Sequence, residues 1–299
     1  MPKSLTLVLS ALLLLATPAR ADEVCTVNRI ASLPMTLDSA NGINVPMQVA
    51  GKPVNLLIDT GGIYSMLTEA AVADLGLKKQ MFNSGIAFRM FGGARIDRFV
   101  VAHDIELGGL KASTFNFLVM PDGHLQKDIG GTLAPDILRA YDTDFDFGDA
   151  TFKLFSQDHC EGKVVYWTTG YSVVPFTLDE FGHIRLEVTV DGKLVHADLD
   201  TGSTQSVMSL ELAESLFGFD TASPDLKTLS AAADYRRYKY PLKTMTFGGV
   251  TVSNPDIVLV PDNDSHMRGT ILGMSVLRKL HLYIAYREHK LYLSAADAH

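Results

Sequence analysis

Asp59-Thr60-Gly61 and Asp200-Thr201-Gly202 are the same tripeptide, and each closes an apolar, strand-like run. One Asp-Thr-Gly is weak evidence, because all three residue types favour turns. Two copies in two similar stretches imply a pair of carboxylates meeting across a pseudo-twofold axis. Two carboxylates that close cannot both ionise cheaply, so the pair shares a proton and titrates as a unit. The ionised member takes a proton from water as general base; the protonated member gives one to a carbonyl oxygen as general acid. That is hydrolysis by an activated water, without a covalent acyl-enzyme.

The segments that must position these aspartates are duplicated too. Val49-Ala50-Gly51-Lys52-Pro53-Val54 precedes the first motif and Val190-Asp191-Gly192-Lys193-Leu194-Val195 the second, each reading as strand, tight turn, strand. Leu186, Val188 and Val190 alternate with Glu187 and Thr189, as in a strand with one buried face. Downstream, Ser65 aligns with Ser206. Thr68 and Ser209 stand as N-caps before helices at 69–75 and 210–217. Leu107-Gly108-Gly109 matches Phe247-Gly248-Gly249, and Gly131-Thr132-Leu133 matches Gly269-Thr270-Ile271-Leu272. Short helices with a leading cap follow at 136–139 and 275–278. Aromatic strands close each half, at 145–155 and 283–293. Two copies with so long a period mean a duplicated domain rather than a solenoid.

The N-terminus carries Lys3, an apolar stretch over 5–16 and Ala19-Arg20-Ala21, the order of a signal peptide cleaved before Asp22. That stretch is too short to span a bilayer, and no later segment qualifies. With 26 basic and 34 acidic side chains the net charge is −8. Loss of residues 1–21 takes it to about −10, which leaves no broad basic surface for nucleic acid. The expected organisation is signal peptide 1–21, N-terminal lobe 22–155, inter-lobe segment 156–171 and C-terminal lobe 172–299. The inter-lobe segment has no repeat partner, holds the only tryptophan, Trp167, and shows a strand-like 164–166. Export makes a Cys25–Cys160 disulfide plausible, with two free buried thiols as the alternative.

On these residues the chain resembles the pepsin and retropepsin-like aspartic proteases, in a bacterial-looking two-lobed form, from about Ile43 to Leu293. The resemblance implies an all-β, two-lobed acid-protease fold: pseudo-twofold duplicated closed barrels with a few short helices. It makes Asp59 and Asp200 the catalytic pair of an aspartic endopeptidase that works as a monomer, without cofactor or metal, on a polypeptide cut between apolar residues. It implies that the Thr60 and Thr201 hydroxyls reach between lobes. It also places the Ser203 hydroxyl on the Asp200 carboxylate. Gly61 and Gly202 allow the tight loops and the close approach of backbone N–H groups. Two departures fall in the first lobe: Gly62 where the second has Ser203, and Leu133-Ala134-Pro135 where the second has Ile271-Leu272-Gly273. They are expected to loosen the first loop, and they motivate an alternative, a catalytically silent peptide-binding protein of the same fold. The stretch 86–96, with Phe88, Phe91, Gly92 and Gly93, reads either as a flap over the cleft or as an ordinary surface hairpin. Arg236, Arg237 and Lys239, in the equivalent stretch of the second lobe, read as a solvated face.

Other signals point elsewhere less well. The nine histidines show no ligand spacing, and His183, His196 and His281 read as strand-surface or turn residues. Asp142, Asp144 and Asp146 read as the acidic face of a strand rather than a calcium loop. Asp198 reads as an outward-facing acid. Two carboxylates also serve glycosidases, but the paired tripeptides and the single tryptophan argue against sugar chemistry. The expected location is outside the cytoplasm, periplasmic or secreted.

Overall fold

A computed structural model describes residues 25–82, 87–90, 93–232, 235–262 and 269–297. The expected signal peptide lies outside these residues. Among the described residues strands dominate, and four complete short helices accompany them.

The N-terminal lobe is a barrel. Its strands run in the order Ile43–Val49, Lys52–Ile58, Gly131–Leu133, Met66–Thr68, Leu110–Met120 and Arg98–Leu107. The last returns to the first through Gln48 and Glu106. Closure leaves no long open edge, and the inward residues (Val45, Met47, Leu56, Ile58, Val100, Phe117) fill the interior.

The C-terminal lobe repeats the plan, with Ile184–Val190, Lys193–Leu199, Thr270–Leu272, Ser206–Ser209 and Ile257–Val260 in sequence across the sheet. Where the first lobe has two long strands, the second has each broken in two. Pro241 separates Tyr235–Lys239 from Thr244–Phe247, and Pro255 separates Val250–Ser253 from Ile257–Val260. Proline lacks the N–H that a ladder needs, so strands end there. The turn at Asp191-Gly192 takes positive φ at both residues (43° and 79°), as does its counterpart Ala50-Gly51 (52° and 71°). These are the left-handed two-residue turns that match strand twist.

Two helices begin and end where the caps require. The Thr68 hydroxyl accepts from the Ala71 N–H at 3.1 Å to open Glu69–Leu75, and the Ser209 hydroxyl does the same for Leu212 at 3.1 Å to open Leu210–Phe217. Left-handed Gly76 and Gly218 end them. The two shorter helices correct the expectation of a leading side-chain cap. They span Pro135–Leu138 and Met274–Leu277, and their N-cap residues Ala134 and Gly273 make no such bond. Asp136 and Ser275 lie inside the first turn and bond Ser65 and Ser206, which follow the Asp-Thr-Gly loops.

The lobes join through a six-stranded sheet: Arg29–Pro34, Thr151–Phe155, Asp142–Asp146, Leu280–Ala285, Lys290–Ala295 and Ser172–Leu178. Its centre is the antiparallel pairing of Asp144 with Tyr283, one strand from each lobe. The inter-lobe segment crosses this sheet through side chains and forms no strand at 164–166, contrary to the sequence pattern. Val164 is buried, the Tyr166 hydroxyl donates to Asp144, and Trp167 stacks on His281 at 4.1 Å. Apolar side chains there act as plugs, and plugging needs no backbone ladder.

Asp142, Asp144 and Asp146 lie on one strand, as expected, and that strand is buried. Each is compensated: Asp142 by His159 at 2.5 Å, Asp144 by His281 at 2.7 Å and Asp146 by Lys153 at 3.0 Å. His281 is thus an internal partner rather than a surface residue. Desolvation still pushes the Asp142 carboxyl up to about 6. Cys25 and Cys160 form a disulfide that ties residue 25 to this layer.

Candidate active site

Each candidate aspartate lies one residue beyond a strand held from both sides inside its own barrel. Lys52–Ile58 leads to Asp59 and Lys193–Leu199 to Asp200. A short parallel strand from later in the same lobe fixes each strand end, Leu133 beside Ile58 and Leu272 beside Leu199. The Asp59 N–H donates to the Leu133 carbonyl at 2.9 Å and the Asp200 N–H to the Leu272 carbonyl at 3.0 Å. The backbone of both aspartates is therefore held by the core, not by solvent-exposed turns.

Four hydrogen bonds lock the two loops together. The Thr60 hydroxyl donates to the Leu199 carbonyl at 2.9 Å and accepts from the Thr201 N–H at 3.0 Å. The Thr201 hydroxyl donates to the Ile58 carbonyl at 2.8 Å and accepts from the Thr60 N–H at 3.2 Å. Both threonines are fully buried. Each uses its one donor and one acceptor on the opposite lobe, so the expected inter-lobe role is what the geometry shows.

The glycines mark the closest approach of the lobes. A Cβ on Gly61 would lie 2.6 Å from Asp200 Oδ1, and one on Gly202 would lie 2.5 Å from Asp59 Oδ1. Any side chain at either position would occupy the space of the opposite carboxylate. Asp59 and Asp200 are in turn linked by a side-chain hydrogen bond. Loss of hydration is the main cause that raises both above the ordinary carboxylate range. The Asp200 charge and the hydrogen bond to it raise Asp59 further, while the N–H groups of Gly62 and Gly61 oppose the rise. Asp200 is pulled down by the N–H groups of Gly202 and Ser203, both on Oδ1 at 2.8 and 3.1 Å, and by the hydrogen bond with Asp59.

Ser203 supports Asp200 differently from the expectation. Its backbone N–H meets the carboxylate, while its hydroxyl donates to the Gln205 carbonyl at 2.8 Å. The hydroxyl thus shapes the loop and the amide solvates the charge.

The two departures in the first lobe are one coupled exchange. A Cβ on Gly62 would sit 2.8 Å from Asp59 Oδ2 and 3.3 Å from the Ala134 Cβ. In the second lobe a Cβ on Gly273 would sit 2.2 Å from the Gln205 carbonyl oxygen and 2.7 Å from that of Ser203. One lobe has a side chain on the loop and glycine beneath; the other has the reverse.

Beneath the loops, the aligned serines act alike. The Ser65 hydroxyl donates to Asp136 Oδ1 at 2.7 Å and accepts from the Ala134 N–H at 3.0 Å. The Ser206 hydroxyl accepts from the Gly273 N–H at 3.0 Å, and the Ser275 hydroxyl donates to it at 3.1 Å. Burial raises the Asp136 carboxyl, and its bonds from Ser65 oppose this.

Of the stretch read as flap or surface hairpin, Ile86, Phe91 and Gly92 lie outside the described residues. The remainder forms a small hairpin, Phe88–Arg89 against Arg95–Ile96, with Gly93 at φ 86°. Phe88 meets Tyr64 edge-on at 5.2 Å and Phe82 at 5.7 Å. Since Tyr64 follows the Asp59 loop directly, this contact ties the hairpin to the site. Asp198 faces outward, bound by the Arg185 guanidinium at 2.8 and 3.1 Å.

An aspartyl protease family profile matches residues 45–133 and again 186–276, one match per Asp-Thr-Gly loop. The chain belongs to the aspartyl protease family. The duplicated match follows the two lobes, and each copy runs from the strands before an aspartate to the short parallel strand that holds it. No curated protein matches the sequence. Among solved structures, conglutin gamma, a unique basic 7S globulin from lupine seeds, is similar with TM-score 0.55 at 12% identity, covering 90% of this chain and 95% of that one. Basic 7S globulin from soybean gives 0.53 at 11% identity, covering 91% and 96%. Likeness at such identities concerns the fold alone.

Sequence reasoning missed Tyr64 and Gln205, which stand five residues after the two aspartates. Aligning the repeats rewards identical residues, and these two differ. The signal was positional: the fifth residue beyond each aspartate ends the loop and faces its own lobe's hairpin.

Proposed function

We propose that this aspartyl protease family member is an active endopeptidase, with Asp59 as general acid and Asp200 as general base. The reciprocal seating of each carboxylate against the other lobe's glycine carries this reading. With Asp200 as acceptor and Asp59 as donor in the pair, Asp200 takes a proton from a water between them. That water attacks the peptide carbonyl, whose oxygen receives a hydrogen bond or proton from Asp59. The Gly202 and Ser203 amides hold the negative charge on Asp200 while the substrate approaches. Because one chain supplies both loops, the working unit is a monomer. The disulfide is compatible with export to the periplasm or the exterior. Among the described residues no helix is long and apolar enough to cross a membrane.

A silent peptide binder is the second reading, favoured by the description of the similar structures as globulins. The compensated exchange at Gly62 and Ala134 removes one motive for it. A peptide-library digest from pH 3 to 8 separates the two. Wild type is expected to cut, and Asp59→Asn and Asp200→Asn are each expected to lose cutting while remaining folded. Binding of a hydroxyl-bearing transition-state mimic without cleavage at any pH supports the binder instead.

A further inference from the structure

The fifth residue after each aspartate contacts its own lobe's hairpin, and the two contacts differ in kind. In the first lobe Tyr64 meets Phe88, above an apolar cluster that includes Ile96, Leu118 and Met120. In the second lobe the Gln205 side-chain oxygen accepts a hydrogen bond from the Arg237 guanidinium. Gln205 is part of the Asp200 loop, since its carbonyl accepts from the Ser203 hydroxyl. The neighbouring cations are engaged away from the loop or exposed: Lys239 pairs with Asp256 at 2.6 Å, and Arg236 is exposed. Arg237 is half-buried, and among the described residues no carboxylate forms an ion pair with it. The Gln205 amide is neutral and meets only part of a guanidinium that carries five N–H donors.

Tyr64 and Gln205 hold the same place after the two duplicated aspartates, and each joins its loop to a group from its own lobe's hairpin, Phe88 in one lobe and Arg237 in the other. We propose that Arg237 is a specificity-determining residue that recognises an acidic side chain of the substrate, with the Tyr64–Phe88 wall receiving an apolar side chain across the scissile bond. This rests on the proteolytic reading above and names its substrate class: extended polypeptides with an apolar residue on one side of the cleaved bond and Glu or Asp on the other. The basic stretch once read as a solvated face thus contributes one residue to the cleft.

The test uses matched peptides with Glu, Gln or Lys at each position flanking the cleaved bond. For wild type, kcat/KM for the Glu peptide is expected to exceed that for the Gln peptide by about tenfold or more on one side, the size of a charge-assisted hydrogen bond. Arg237→Gln is expected to collapse that ratio to about one, Arg237→Lys to keep most of it, and Arg237→Glu to shift preference to Lys. A wild type without acidic preference, or an Arg237→Gln variant that keeps it, overturns the proposal. Fluorescence anisotropy of the same peptides on Asp200→Asn, with and without Arg237→Gln, separates this from failure of the hydrolytic reading. If wild type cuts nothing but tighter binding of the Glu peptide depends on Arg237, the cationic flank stands and hydrolysis falls. Equal binding of Glu and Gln peptides overturns the flank whatever the digest shows.

Discussion

Replacing Thr60 by valine removes one hydroxyl and keeps nearly the same volume. The perturbation is specific, because that hydroxyl serves two backbone groups of the other lobe, the Leu199 carbonyl at 2.9 Å and the Thr201 N–H at 3.0 Å. Leu199 and Thr201 are both buried. A buried polar group left without its partner costs about 1–3 kcal/mol, so the variant is expected to lose about 2–6 kcal/mol. That is a large part of the stability of any folded domain. It corresponds to a fall in Tm of about 5–20 °C for a chain this size. Thr201→Val removes bonds to the Ile58 carbonyl and the Thr60 N–H and is expected to cost the same within about 1 kcal/mol. The four bonds share no atom pair, yet all lie in one seam. The double variant is therefore expected to cost less than the sum, because the first opening already exposes the groups the second would orphan. Thr60→Ser keeps the hydroxyl and serves as the control for loss of a methyl group. Chemical denaturation followed by tryptophan fluorescence measures all four proteins, with Trp167 reporting from the inter-lobe layer. If Thr60→Val costs no more than Thr60→Ser, the hydroxyls do not hold the lobes together and the reasoning fails.

Three further expectations follow from the same geometry. Loss of hydration holds the Asp59–Asp200 pair above the ordinary carboxylate range, so the folded protein keeps a proton that the unfolded chain gives up. This contribution is full below the ordinary carboxylate range and is lost as pH rises through the pair's raised range; Tm is expected to fall less steeply with pH in Asp59→Asn than in wild type. Gly62→Ser is expected to lower both peptidase activity and Tm, because its Cβ would meet Asp59 Oδ2 at 2.8 Å and Ala134 at 3.3 Å. Adding Ala134→Gly relieves only the 3.3 Å contact and is expected to recover part of both; an additive loss would show that Ala134 does not crowd position 62. Cys25→Ser opens a loop closed over a sequence separation of 135, for which chain entropy assigns about 4–5 kcal/mol; thermal unfolding with and without reductant measures it.

Much of this was legible in the chain because duplication checks itself. The caps at Thr68 and Ser209, the turns at Ala50-Gly51 and Asp191-Gly192 and the closing strands each occur twice, so each prediction had a second witness. The readings that failed concern residues without a repeat partner or with one of another type. Val164 and Tyr166 have strand-like character, but Val164 is buried as a plug and the Tyr166 hydroxyl is tied to Asp144, which needs no ladder. The acidic strand at 142, 144 and 146 was legible but its burial was not, because two of its compensating partners, His159 and His281, come from other segments and only Lys153 lies on the adjoining strand. Asp136 and Ser275 read as caps, but each helix begins one residue earlier, and their side chains bond Ser65 and Ser206 instead. The role of the Ser203 hydroxyl turned on loop geometry, which residue type does not encode. Arg237 looked like part of a charged run because nothing local distinguishes it from Arg236 and Lys239; only the fold brings Gln205 to it.

The shared proton is open to direct observation. Carbon-13 labelling of aspartate side chains, with NMR titration from pH 3 to 9 and assignment through Asp59→Asn and Asp200→Asn, follows the two carboxyl carbons separately from the rest. The account predicts that both resonances respond to a common deprotonation well above the ordinary carboxylate range, and that Asp200→Asn lowers the midpoint of Asp59 by removing the neighbouring charge. Two carboxyls that titrate independently near pH 4, each indifferent to loss of the other, would contradict it.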